Sequence, residues 1–197
     1  MTDADVIDTL AGIRPGSKLD AIRARRAVAR DQAQASYRAL FEPAAPGDMS
    51  VEERFAVACF VVGLHGDTGI LGFYAERLAA SGAPASLRAA VEAEAAAGRT
   101  QGPFGHYPAG PLSREDTDGM ILRISEAGRA ALGPRLAAAF AHVHMLIFHP
   151  RDAAPPSLQS LLDAGWSATG IVTLSQIVAF LSFQIRVVSG FRVLAGQ

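Results

Sequence analysis

Five places in this sequence hold side chains that could do chemistry. The first is His65-Gly66-Asp67. A carboxylate beside an imidazole sets its tautomer and basicity, so this pair suits acid–base work. The same residues also suit a helix boundary, with Gly66 just past one helix and Asp67 capping the next. The second is Cys59, the only cysteine. It excludes an internal disulfide, a multi-cysteine metal cluster and a two-cysteine redox pair within one chain. Flanked by apolar residues, its thiol is expected to be an inert core group. The third is the trio His142, His144 and His149. On a helix the first two point about 200° apart and cannot share a metal, whereas His142 and His149 lie on one face. The fourth is His106-Tyr107, in a glycine- and proline-rich loop. The fifth is Arg186, in an apolar stretch where a buried guanidinium would need a partner: Asp67, Glu53 or Asp163.

The elements that must position these groups read as helices. Alanine and leucine dominate, and alternating β-branched runs are nearly absent. A short helix is expected from about Ala4 to Leu10, closed by Gly12 and Pro15. Ser17 and Asp20 make a capping box for a long helix reaching about Phe41, and Ser50 with Glu53 makes a second. The helix from Val51 to Leu64 is apolar on nearly every face after Phe55, the pattern of a core or interface helix. Further helices follow over Gly69–Ala80 and Ala85–Ala97. Gly98–Leu112 holds four glycines and three prolines and reads as a loop with docked aromatics, Phe104 and Tyr107. Ser113 and Asp116 are expected to begin the next helical region. Gly133-Pro134 opens a helix to Phe148, Pro155-Pro156 opens a short one, and Ser167 caps a final helix to about Leu194.

The composition narrows the function classes. The net charge of -1 supplies no basic stripe for phosphates, so no nucleic-acid partner is expected. No apolar leader follows the acidic Met1–Asp5 segment. The apolar stretch Gly170–Val188 is interrupted by Gln176, Gln184 and Arg186, and is read as a buried or interface helix rather than a membrane span. A cytoplasmic protein without membrane partner, cofactor or metal is expected.

Two segments carry a family resemblance. The apolar helix leading into Leu64-His65-Gly66-Asp67 resembles the "Leu-Asn-Gly-Cys-x-x-Cys-x-x-x-His" region of the AhpD-like carboxymuconolactone decarboxylase superfamily. The segment Ala164-Gly165-Trp166-Ser167, with its long helix through Phe180-Leu181-Ser182-Phe183-Gln184-Ile185-Arg186, resembles that superfamily's peroxidase-related branch. The whole chain, including the loop Gly102–Ser113, looks like the subgroup called CMD domain proteins. In this alignment Asp67 and Ile70 stand where the family has its two cysteines, Tyr74 where it has histidine, and Phe55 where it has the relay glutamate. Glu53 lies about 200° round the helix from that position and is no simple substitute. Thiol peroxidase chemistry needs an attacking thiolate and a resolving thiol, and the chain has neither there.

The resemblance implies an all-α, AhpD-like bundle, with an N-terminal helical arm (1–42) before a core (43–197), assembled as a homo-oligomer, a trimer or a multiple. It keeps the family's site location, with His65, Asp67 and Tyr74 as the catalytic candidates. His106, Tyr107, His142 and Arg186 are the substrate-binding candidates, the first two as a lid or as a reach to a neighbouring subunit. Three readings stay open: a peroxidase-related protein without thiol peroxidase activity, a cofactor-free decarboxylase- or lyase-like acid–base enzyme, and a noncatalytic oligomer that binds a small ligand or supports a partner enzyme.

Overall fold

The computed structural model describes residues 5–196. The acidic start and the expected helix beginning at Ala4 therefore lie partly outside the described residues. Nine α-helices and no strand are present among them: α1 (Val6–Ala11), α2 (Lys18–Ala24), α3 (Ala27–Phe41), α4 (Val51–His65), α5 (Thr68–Ala80), α6 (Ala85–Gly98), α7 (Glu126–Phe148), α8 (Pro155–Asp163) and α9 (Ala168–Ala195). The fold is all-α.

The centre is α4. Every residue from Arg54 to Leu64 is buried. Such a helix has no face to give to water, so neighbours must cover it all round. Helices α3, α5, α6, α7 and α9 do so. Close approach to α6 requires Gly63, because a Cβ there would stand 2.7 Å from the Ala95 Cβ. Phe60 stacks on Phe140 of α7 with centroids 4.1 Å apart. The N-terminal helices do not stand apart: α1 packs on α9, and Val6, Ile7, Tyr37 and Phe41 join the same core cluster.

Local chemistry explains the ends. Ser50 and Glu53 form the expected capping box, and Ser167 caps α9 by accepting from the Gly170 amide. Ser17 caps α2 as expected, but the returning Asp20 carboxylate takes the Gly16 amide. The single helix expected to Phe41 is two, broken at Arg25-Arg26. The break sets Arg23 against Asp5 and Asp8, and Arg30 against Asp8 and Asp20. Ser113 and Asp116 do not start a helix of the body. A 3-10 turn, Pro111–Glu115, sits there, and α7 begins only at Glu126 under a Ser125 cap. Ser125 is itself held by the buried Glu94 carboxylate, a favourable place for negative charge. Gly133, at φ 72 and ψ 169, leaves the helical region inside α7, so a separate helical segment begins at Pro134 and runs to Phe148, as expected.

Helices α7 and α9 are long and apolar enough to cross a membrane by length and composition, with 50% and 44% of an 18-residue apolar stretch of each buried inside the fold.

Arg54 and Arg23 are the buried arginines among the described residues, and Arg186 is not one of them. Arg54 is 5% exposed and donates to the Met49, Leu40 and Pro46 carbonyls, tying the end of α3 and the following loop to α4. Arg54→Met strands these acceptors, each costing about 1–3 kcal/mol when buried and unpaired. Urea unfolding should show a loss of roughly 3 kcal/mol or more; a loss within 0.5 of wild type, roughly a surface effect, would contradict this bracing role.

Candidate functional site

His65 closes α4, and Gly66 follows at φ 76 in the left-handed cap conformation. Asp67 then caps α5, accepting from the Ile70 amide. The helix-boundary reading of His65-Gly66-Asp67 is therefore realised in the backbone. Asp67 does not orient His65. Its other oxygen is 2.7 Å from Arg192 Nη1 near the end of α9, and Arg192 also donates to the Leu10 carbonyl. The carboxylate thus joins α5, α9 and the end of α1.

Tyr74 is also engaged elsewhere. It is fully buried, and its hydroxyl donates to Gln184 Oε1 at 2.7 Å. Burial pushes the phenol well above its ordinary range. Gln184 is fully buried, and its Nε2 has no partner. The pair joins α5 to α9 inside an aromatic shell that includes Phe41 and Phe73.

His65 instead shares a cavity wall with Arg186. Both line a cavity of about 550 Å³ between the end of α4, the end of α7, α9 and the strap 100–103. Leu64, Pro103, Leu146 and Ile147 form apolar wall, while Gln101 and Ser182 add polar groups. His65 Nε2 is buried without a hydrogen-bond partner among the described residues. Burial first, and the Arg186 charge second, push the imidazole below its ordinary value. It is therefore neutral at pH 7, with one nitrogen able to donate and one able to accept. Arg186 is exposed, contrary to the buried ion pair expected for it, and Nη1 donates to the Ser182 carbonyl of its own helix. The three proposed partners are otherwise used: Asp67 by Arg192, Glu53 by Arg135, and Asp163 by Gln159.

The remaining candidates lie apart. His106 and Tyr107 do not line the cavity. The His106 and Tyr107 amides donate to Asp152 and Asp116, and Arg151 stacks on the Tyr107 ring. The Asp152 and Arg151 contacts fasten the outer strap to the turn after α7, and the Asp116 contact closes the strap on itself. Burial alone would raise the Asp152 carboxyl, but the His106 amide and the His149 ring outweigh it and hold it below the usual range. His149 bridges Asp152 and the Met120 carbonyl, and His144 bonds the Gly98 carbonyl. His142 is buried with Nδ1 unpaired. Among the described residues, no group of three or more histidine, cysteine, aspartate or glutamate side chains could hold a metal ion.

Cys59 lies elsewhere again, at the floor of an apolar groove of about 560 Å³ between α5 and α6. Burial pushes its thiol up to about 12. The Arg99 guanidinium closes one end of that groove by bonding the Gly63 carbonyl. Sequence reasoning missed the strap residues Thr100 and Gln101, which carry no motif. The one available signal was their position directly after a helix end, in a loop too long to be a plain connection.

Compared with known protein families, with curated proteins and with solved structures, the chain has no match.

Two outcomes follow from the titrating groups. Thiol-reactive dye at pH 8 should label Cys59 far more slowly in the native chain than in urea; equal rates would contradict its protonated, buried state. His65, His142 and His144 are all held below the ordinary 6.5, in each case chiefly by burial. The unfolded chain then binds protons that the folded chain refuses, so stability is full above pH 6.5 and is lost as pH falls through the folded values. Urea midpoints should decline with that sign on acidification, and a combined His142→Asn, His144→Asn chain should show a shallower decline.

Proposed function

We propose that this protein is a bundle of the AhpD-like, peroxidase-related type whose small-molecule site is the cavity at the end of α4, and that it does not run thiol peroxidase chemistry. The single observation carrying this is the meeting of His65 and Arg186 on one cavity while Cys59 lies in another. A neutral imidazole beside a fixed cation can accept a proton from a bound acid or donate a hydrogen bond to it. A thiol held up to about 12 is a poor source of thiolate. The acid–base reading therefore rests on His65, with Tyr74 and Asp67 as bracing groups.

A second reading, binding without turnover, is favoured by one observation. Among the described residues His65 has no carboxylate partner to orient it, since Asp67 is held by Arg192. Such an imidazole lacks the second group that usually fixes a general base.

The assembly belongs to the same proposal. The outer face of α9 presents Val172, Ala179 and Phe183 to solvent, and α8 presents Leu158 and Leu162. Apolar side chains repeated along exposed helix faces suit contact between copies of the chain, in a cytoplasmic homo-oligomer.

The test is turnover of peroxides, with a dithiol reductant, and of small lactones. Activity that survives Cys59→Ser and falls at least about 100-fold in His65→Ala supports the acid–base reading. Activity lost in Cys59→Ser overturns the proposal. No turnover, with ligand binding abolished in His65→Ala, assigns the binding-only form. Sedimentation should show an oligomer that Phe183→Asp dissociates; a wild-type monomer at micromolar concentration would remove the assembly part.

A further inference from the structure

We infer that the cavity at the end of α4 takes a small organic monoanion, a carboxylate on a compact apolar body, with the carboxylate on Arg186 and the body against Leu146 and Ile147. This rests on the reading of that cavity as the ligand site and adds what the site selects.

Charge is the first argument. Arg186 has no carboxylate partner among the described residues, and no aspartate or glutamate lines the cavity. Exposed arginines such as Arg14 and Arg129 also have no partner among the described residues, but Arg186 stands on the wall of a cavity that has no acid; six others are committed. Arg23, Arg30, Arg135 and Arg192 are paired with carboxylates, while Arg54 and Arg99 are spent on backbone carbonyls. An arginine keeps its charge across the whole working range of pH. The cavity therefore carries one uncompensated positive charge.

Geometry is the second. Arg186 spends Nη1 on the Ser182 carbonyl one turn back. That bond steadies the guanidinium and leaves the Nε–Nη2 edge free. Two parallel N–H donors on one edge match the two oxygens of a carboxylate. A phosphate ester carries up to two charges and three acceptor oxygens, and it wants more than one cation or a row of amides. Only Arg186 is cationic here: His65 is kept uncharged by its burial and by Arg186 itself. The site fits one negative charge.

The walls are the third. About 550 Å³ suits a small molecule, and Leu64, Pro103, Leu146 and Ile147 offer it apolar surface. The unpaired His65 nitrogen would then meet a polar atom of the ligand rather than remain a buried orphan.

The experiment uses the full chain and three probes of one shape: phenylacetate, phenylacetamide and phenethylamine. Affinity is read by calorimetry at low salt, and location by shifts of the Leu146 and Ile147 methyl resonances. Phenylacetate is expected to bind about tenfold or more tightly than the amide and the amine, with the methyl shifts localising it. Arg186→Gln should erase that preference without moving the melting temperature, because its guanidinium is exposed and bonds only its own helix. Equal binding of all three probes, with the methyl shifts intact, overturns the anion inference and leaves the cavity reading standing. Tighter binding of the amine also overturns the inference. A carboxylate preference that persists in Arg186→Gln assigns the charge elsewhere and overturns it too. Absence of methyl shifts with every probe at millimolar concentration overturns both this inference and the cavity reading.

Discussion

The structure depends on one constraint: α4 is apolar on all sides and must be enclosed on all sides. Residues 54–64 are buried without interruption. No arrangement of two layers achieves this, so α3, α5, α6, α7 and α9 close round a central helix. Gly63 permits the close approach of α6, and Phe60 on Phe140 fills the contact with α7. Both ends of α4 therefore emerge where several helices meet. His65 reaches a cavity because it is the first residue at which the enclosure opens.

An apolar frame of this kind makes each buried polar group consequential. Arg54 uses three carbonyls, and Glu94 takes the Ser125 hydroxyl and amide at the start of α7. Tyr74 and Gln184 answer each other between α5 and α9, at the cost of an orphaned Gln184 Nε2. These groups brace helix against helix and keep side chains away from the cavity. Their role explains why Tyr74 and Asp67, which look catalytic in sequence order, are structural in space.

The strap between α6 and α7 shows a division of labour. Its first residues, Thr100 to Pro103, wall the cavity, while His106 and Tyr107 anchor it to Asp152 and Arg151 and Asp116 closes it on itself. His149 joins the same anchorage through Met120 and Asp152. The aromatic and histidine content of the loop is thus spent on holding it down, and the groups facing the cavity are plain ones.

Much of the frame was legible in the residues. Capping serines at Ser50 and Ser167, the left-handed Gly66, the all-round apolar run after Phe55 and the turn at Gly133-Pro134 are local signals, and local energetics decide them. The break at Arg25-Arg26 was not legible, because it answers to acids on a neighbouring helix. Nor was the late start of α7, where Asp116 and Ser113 take the Tyr107 and Gly110 amides of the same loop instead of capping a helix. The candidate site divided in the same way. The sequence by itself determined an all-α chain with one thiol, a histidine at a helix end and an arginine on the last helix. Only the tertiary structure decided that His65 shares a cavity wall with Arg186 and that Asp67 and Tyr74 do not join them. Which side chains meet across tens of residues depends on helix packing and on competition among partners, and neither is written in local spacing.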